Sequence, residues 1–345
     1  MTEYFLVMTR LIHRYFFDIA NTFAQGDGRV VILRTPQIPR LDKYAHYVDC
    51  LPDVELREPT EVNPVDGSVL VSDDASFIRR HQHLFRKRIE VSYDYYRVPS
   101  GSLRKPYPMH PNVYKNRLPR PEVEKRYRIS FAGNVARHRY AEPVLKEAFN
   151  VMSRVECFET ILDMIGDELE PARVALNRLP DPDDYFAGVV LIERKHLEIE
   201  ATEWLNFVGK SDFFLPLPGV AMPMCHGIIE AIFCGTIPIL HVNQVPELGL
   251  VDGANCFTYG SKAQLKNLIC DLLDGDRFPR ERLEEVRRNV LHYYDRHLSL
   301  EAFARRLRAI NRAEVRLFVN AEQESVSYLT GEARIVGAGS EGRLE

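Results

Sequence analysis

Along the first hundred residues, short apolar runs alternate with longer stretches whose apolar positions recur at helical spacing. Phe5 to Met8, Val30 to Leu33 and Ser68 to Ser72 read as buried strands. Leu11 to Phe23, and a stretch from Ser72 through about Arg88, read as helices between them. This is the β-α-β rhythm of a parallel sheet. It is interrupted by KPYPMHPNVYKNRLPRP, whose prolines at 106, 108, 111, 119 and 121 cannot lie inside a helix or a central strand, so this segment reads as an interdomain connection. The rhythm then restarts. Tyr127 to Phe131, Phe186 to Ile192, Phe213 to Leu217 and Ile237 to Val242 are expected strands, with helices at Tyr140 to Val151, Ile199 to Val208 and Met224 to Cys234. Lys262 to Leu273 and Arg280 to Arg312 carry helical periodicity, and the second is long enough to reach back to the first half. The expected division is 1–120, 121–320 and a polar tail at 321–345.

Composition narrows the class. A chain of 345 residues, 45% hydrophobic and 27% charged, has room for two ordinary cores and is not of disordered composition. Its net charge of -4 offers no global field for nucleic acid, so any basic site must be local. Six cysteines without a CxxC pair read as reduced thiols and point to a cytoplasmic chain. No apolar run is long enough to span a bilayer, which leaves only peripheral membrane contact open.

The most informative stretch is SDFFLPLPGVAMPMCHGIIEAIFCGTIPILH, Ser211 to His241. A buried strand ends at Pro218-Gly219, a loop leads into a helix near Pro223 to His226, and Gly235 closes that helix before the next strand. In an open parallel sheet, ligands sit beyond the carboxyl ends of the strands, and a helix start with unpaired amides favours an anion. Glu230 lies one turn further on among Ile228, Ile229, Ala231 and Ile232. A carboxylate there either receives hydroxyl donors such as those of a ribose, or faces solvent or a basic partner.

These residues resemble the donor-binding region of exostosin-like glycosyltransferases and, more broadly, of glycosyltransferases with the GT-B architecture. Ser211, Phe213, Leu215, Pro218, Gly219, Glu230, Ala231, Gly235, Pro238 and Ile239 follow the pattern in order, and RISFAGNVARHRY is similar to the opening of the second domain. Gly227 stands where that pattern usually has arginine, and Met222 where a paired acid would precede Glu230. The resemblance implies an α/β fold of two Rossmann-like domains facing a cleft, with a C-terminal helix returning to the N-terminal domain. It implies transfer of a sugar from a nucleotide-sugar donor to a glycan or lipid-linked acceptor, in surface polysaccharide synthesis, without a metal or other cofactor. The diphosphate would be held by Pro218, Gly219 and His226, and the ribose by Glu230. Another nucleotide-sugar-dependent enzyme and an inactive binding module are the alternatives; the first is disfavoured by the lack of a GxGxxG after the first strand and of a P-loop.

Further candidates each carry two readings. Gly133, Asn134, Arg137 and Arg139 follow an expected strand and suit either a diphosphate leaving group or an ordinary charged turn; Arg139 is preferred. Asp73 and Asp74 supply either a catalytic base or an N-cap. Asp181, Asp183 and Asp184 read as a loop. Arg79, Arg80, Arg86, Lys87 and Arg88 form the one strong basic run, either a solvated helix face or an attractor of acidic glycan, lipid phosphate or anionic membrane. Tyr93, Tyr95, Tyr96 and Tyr107 suit sugar stacking or plain strand packing.

Overall fold

The computed structural model describes residues 2–10, 13–24, 28–35, 54–58, 62–99, 101–141 and 143–331. Two parallel six-stranded sheets make up the molecule. The first holds β1 (Thr2–Val7), β2 (Gly28–Leu33), β3 (Val54–Arg57), β4 (Val69–Ser72), β5 (Lys87–Ser92) and β12 (Glu314–Phe318), in the order β12-β5-β4-β1-β2-β3. The second holds β6 (Tyr127–Gly133), β7 (Val174–Leu176), β8 (Phe186–Glu193), β9 (Ser211–Phe214), β10 (Ile237–His241) and β11 (Phe257–Tyr259), in the order β11-β10-β9-β6-β8-β7. The central strands β1, β4, β9 and β10 are buried along nearly their whole length, as expected where helices cover both faces.

The longer helices are α1 (His13–Ala24), α2 (Ala75–His81), α3 (Arg154–Leu162), α4 (His226–Phe233), α5 (Lys262–Leu273), α6 (Arg280–Tyr293), α7 (Leu300–Ala309) and α8 (Gln323–Thr330). Three expectations change. The helix expected through Arg88 ends at His81, and β5 starts at Lys87, because Ile89, Val91 and Tyr93 alternate at strand spacing and are buried. The stretch Arg280 to Arg312 is two helices, separated by one widened turn, Tyr294–Leu298, with Ser299 capping α7 through the amide of Ala302. Beyond it the chain does return to the first half, where α7 packs on α1 and β12 pairs with β5. The segment after Asn320 contains α8, with Ala321, Ser325 and Val326 buried; of the expected tail, 332–345 lie outside the described residues.

The proline-bearing connection is packed from its first residue. Lys105 is fully buried and ion-paired with Asp18 of α1, while Tyr107, Met109, Val113 and Tyr114 fill the space between the halves. Burial pushes Asp18 up and Lys105 down, each opposed by the other's charge. In the second half, Asp212 of β9 accepts from Arg128 at 3.3 Å, Tyr185 at 2.5 Å and Arg287, which pins α6 to the strand that carries the functional loop. The five described cysteines are free thiols; Cys50 lies outside the described residues.

Lys105→Ala strands the Asp18 charge in an apolar interior and is expected to cost about 3–5 kcal/mol in urea unfolding. The Asp18→Leu/Lys105→Met double substitution should recover most of that loss.

Candidate functional site

The carboxyl ends of β6 and β9 build a cradle. After β9 the chain runs through Leu215, Leu217, Pro218 and Gly219 to the start of α4. Gly219 is required by close approach: an added Cβ would stand 2.5 Å from the Met224 carbonyl oxygen and 2.9 Å from that of Met222. Arg154, the first residue of α3, ties this loop to the end of β6. Its Nε donates to Pro218 O (2.8 Å), Nη2 to Leu217 O (3.1 Å) and Nη1 to Asn134 O (3.1 Å), while the guanidinium lies over the Tyr140 ring at 4.1 Å. Asn134 in turn accepts from the Ala136 amide at 2.8 Å through its side chain. Three of the five guanidinium N-H groups are used, so two donors and a full charge remain at the cradle. Ser153 and Glu156 form a reciprocal capping box that fixes the helix start from which Arg154 projects. The start of α4 has no side-chain oxygen cap, because Cys225 occupies that position and its thiol donates to Pro216 O. Gly133, Asn134, Pro218 and Gly219 are therefore brought together. Arg154 was missed in the sequence because nothing in its local spacing marks an arginine whose partners are distant carbonyls.

Glu230 is corrected. It is 2% exposed, and both carboxylate oxygens are engaged by protein: Oε1 accepts from the His110 amide at 3.0 Å and Oε2 from the Trp204 indole at 2.6 Å. It is neither an open ribose ligand nor a solvent-facing acid. Burial pushes it up to about 7, against the pull of these hydrogen bonds and of Arg14.

His226 is corrected as well. Its Nδ1 lies 2.8 Å from Pro108 O, and a carbonyl can only accept, so the ring proton sits on Nδ1. Nε2 keeps a lone pair, sealed from solvent without a partner, and such an acceptor has nothing to offer a phosphate oxygen. The ring stacks on Tyr107 at 5.0 Å, and burial, with Arg14 and His110, holds it neutral well below its ordinary range.

Asp73 and Asp74 are spent on backbone donors and are not placed as bases. Asp73 accepts from the amides of Thr9 (2.7 Å) and Arg10 (3.1 Å), the Thr9 hydroxyl (3.0 Å) and Tyr93 (3.3 Å), which fixes the turn after β1. Asp74 caps α2 through the Ser76 amide at 2.8 Å. Arg137 pairs with Glu159 on the surface, whereas Arg139 is exposed and has no ion pair among the described residues. Tyr93, Tyr95 and Tyr107 are buried, and Tyr96 donates to Met222 Sδ at 3.3 Å and packs edge-on against Phe149, so these rings serve packing.

A further cluster closes the seam between the halves. Glu322, at φ +50°, pairs with Arg14 and accepts from Tyr107 at 3.0 Å; Tyr107 and Tyr15 share a hydrogen bond of 2.9 Å. Burial would raise Glu322, but Arg14 and the hydrogen bonds from the two tyrosines outweigh it and hold the carboxyl down at about 2. Only the fold brings residues 14, 107, 226 and 322 together. Among the described residues no group of three His, Cys, Asp or Glu side chains is placed to hold a metal ion.

No protein-family model matches the sequence, and no curated protein matches it significantly. Solved structures do match in fold. A glycosyltransferase from Rickettsia africae superposes with a TM-score of 0.50 at 10% identity, over 90% of this chain and 97% of that one. Sucrose-phosphate synthase from Thermosynechococcus elongatus gives 0.45 at 9% identity, over 89% and 97%. HepE from Anabaena, solved with UDP and glucose, gives 0.43 at 11%, over 89% and 98%. The likeness to the Rickettsia enzyme is one of architecture: two parallel sheets of the GT-B type.

Trp204 is the chain's one tryptophan, and its indole reports directly on Glu230. Tryptophan emission is expected to titrate near pH 7, and Glu230→Gln should abolish the transition. Because the folded carboxyl lies above its ordinary value of 4.5, its contribution to stability is full below that pH and is lost as pH rises through about 7. The loss, about 3 kcal/mol, should be absent from urea titrations of the variant.

Proposed function

We propose that the chain is a glycosyltransferase that moves a sugar from a nucleotide-sugar donor to a glycan or lipid-linked saccharide acceptor, in the making of a surface polysaccharide. The observation that carries this reading is the cradle of Gly219, the α4 start and Arg154 at the carboxyl end of β9, set in a GT-B architecture. The local pattern SDFFLPLPG with EAIFCGTIPIL, which resembles exostosin-like enzymes, supports it. In this reading the donor diphosphate lies against the Pro218-Gly219 loop and the amides that open α4. The helix dipole contributes about 0.3–1 kcal/mol to holding it, more where water is excluded.

Transfer proceeds as the acceptor hydroxyl oxygen forms a bond to the anomeric carbon while the bond from that carbon to the phosphate oxygen breaks, and the hydroxyl proton passes to an oxygen of the departing diphosphate. The electron pair leaves with the diphosphate, where the two remaining Arg154 donors and the charge of Arg139 stabilise it. No metal is assigned a part. Asp73 and Asp74 are not assigned as the catalytic base, nor Glu230 as the ribose ligand, since these acids are already held by protein donors. That observation favours one second reading, a module that binds nucleotide or glycan without turnover.

UDP, GDP and ADP, tested in turn by thermal shift, should include one that stabilises the chain, by about 2.7 kcal/mol at a hundred times its Kd. Gly219→Ala, which forces the loop away from the Met222 and Met224 carbonyls, should remove that shift. Slow hydrolysis of the corresponding nucleotide sugar identifies a transferase, and binding without hydrolysis identifies the inactive module. A chain that ignores all three diphosphates overturns both.

A further inference from the structure

The one strong basic run of the sequence gains a second half in the fold. Lys87 Nζ donates to Leu307 O (3.1 Å) and Ile310 O (2.8 Å) at the end of α7, and the Arg88 amide donates to Ala313 O at 2.7 Å. Segments 79–88 and 305–314, more than two hundred residues apart, therefore come together around the amino ends of β5 and β12, with α2 and α7 on opposite faces of the sheet. They hold Arg79, Arg80, Arg86, Lys87, Arg88, Arg305, Arg306, Arg308 and Arg312 against a single acid, Glu314, which Arg88 already pairs at 2.9 Å. The whole chain has a net charge of -4, so positive charge is concentrated at this end.

Lysine and arginine at helix C-termini ordinarily answer the helix dipole, and Lys87 does so for α7. The dipole does not account for the rest. Arg79, Arg80, Arg86, Arg305 and Arg312 are exposed and have no ion pair among the described residues. Leu84, on the single tight turn Gln82–Leu84, is 41% exposed among them. The surface lies at the amino ends of β5 and β12, the end of the sheet remote from the cradle.

We propose that this surface docks on an anionic lipid bilayer, with the guanidinium groups on lipid phosphates and Leu84 entering the interface. Arginine suits phosphate through its planar pair of donors, and clustered cations are attracted to an anionic leaflet over about one screening length. The exposed leucine favours a bilayer over nucleic acid, which offers it no apolar phase. Among the described residues no helix is long and apolar enough to cross a membrane, so the contact is peripheral. The proposal is independent of the assignment of glycosyl transfer.

The full chain, sedimented with phosphatidylcholine vesicles and with vesicles containing equimolar phosphatidylglycerol, should bind only the second kind. Binding should collapse between about 0.1 and 1 M salt, as the screening length falls from about 10 to about 3 Å. With about fivefold in partition for each arginine, Arg79→Gln/Arg80→Gln/Arg86→Gln should lose about a hundredfold and Arg305→Gln/Arg312→Gln about twenty-five-fold. Leu84→Ser should weaken binding at either salt, and Arg277→Gln, on the other half, should change nothing. Equal binding to both vesicles, binding untouched by either set of arginine substitutions, or tighter binding to a DNA duplex than to vesicles would each overturn the proposal.

Discussion

A carboxylate taken out of water must find donors, and at the seam of this molecule Glu230 finds one on each side. The His110 amide comes from the connection between the halves and the Trp204 indole from the helix next to α4. Neither is near Glu230 in sequence, so the bond exists only when the connection lies across α4. That placement also brings Pro108 onto His226 and sets Tyr107 against the ring, which joins the seam to Arg14 and Glu322. A single buried acid thus selects one arrangement of connection, helix and returning chain.

The same economy explains the crevice. Acids expected to do chemistry are held by protein donors: Asp73 by the turn after β1, Asp74 by α2, Glu230 by the seam. What remains at the carboxyl ends of the second sheet is a glycine loop, a helix start without a side-chain oxygen cap and an arginine with donors to spare. The local field is positive although the chain is net negative. An anionic ligand is what such a place favours.

Much of the architecture was legible because parallel strands buried on both faces read as continuous apolar runs, and the cradle was legible because glycine and proline mark a loop that needs them. The buried setting of Glu230 could be inferred from its isoleucine neighbours, but its partners could not, since Trp204 and His110 meet it only in three dimensions. Strands β3 and β12, VELR and EVRLF, alternate polar and apolar residues over only four or five positions, too short a run to stand out as strands. Arg154 bonds to carbonyls, which every residue carries, and no residue type at any spacing signals that. The aspartates stayed open between catalysis and capping because both call for the same side chain.

The chain passes between the two halves twice, once after Lys115 and once at the widened turn Tyr294–Leu298, and the two passages are fastened together. Arg120 of the first bonds Asp295 of the second at 2.5 Å and lies over the rings of Phe233 and Tyr294. A body hung on one thread swivels in every direction, whereas two threads lashed side by side leave a single axle. Rotation about the Arg120–Asp295 line is in turn opposed by the hydrogen bonds from Tyr96 to Met222 and from the His110 amide to Glu230, so the seam opens only at the expense of those contacts.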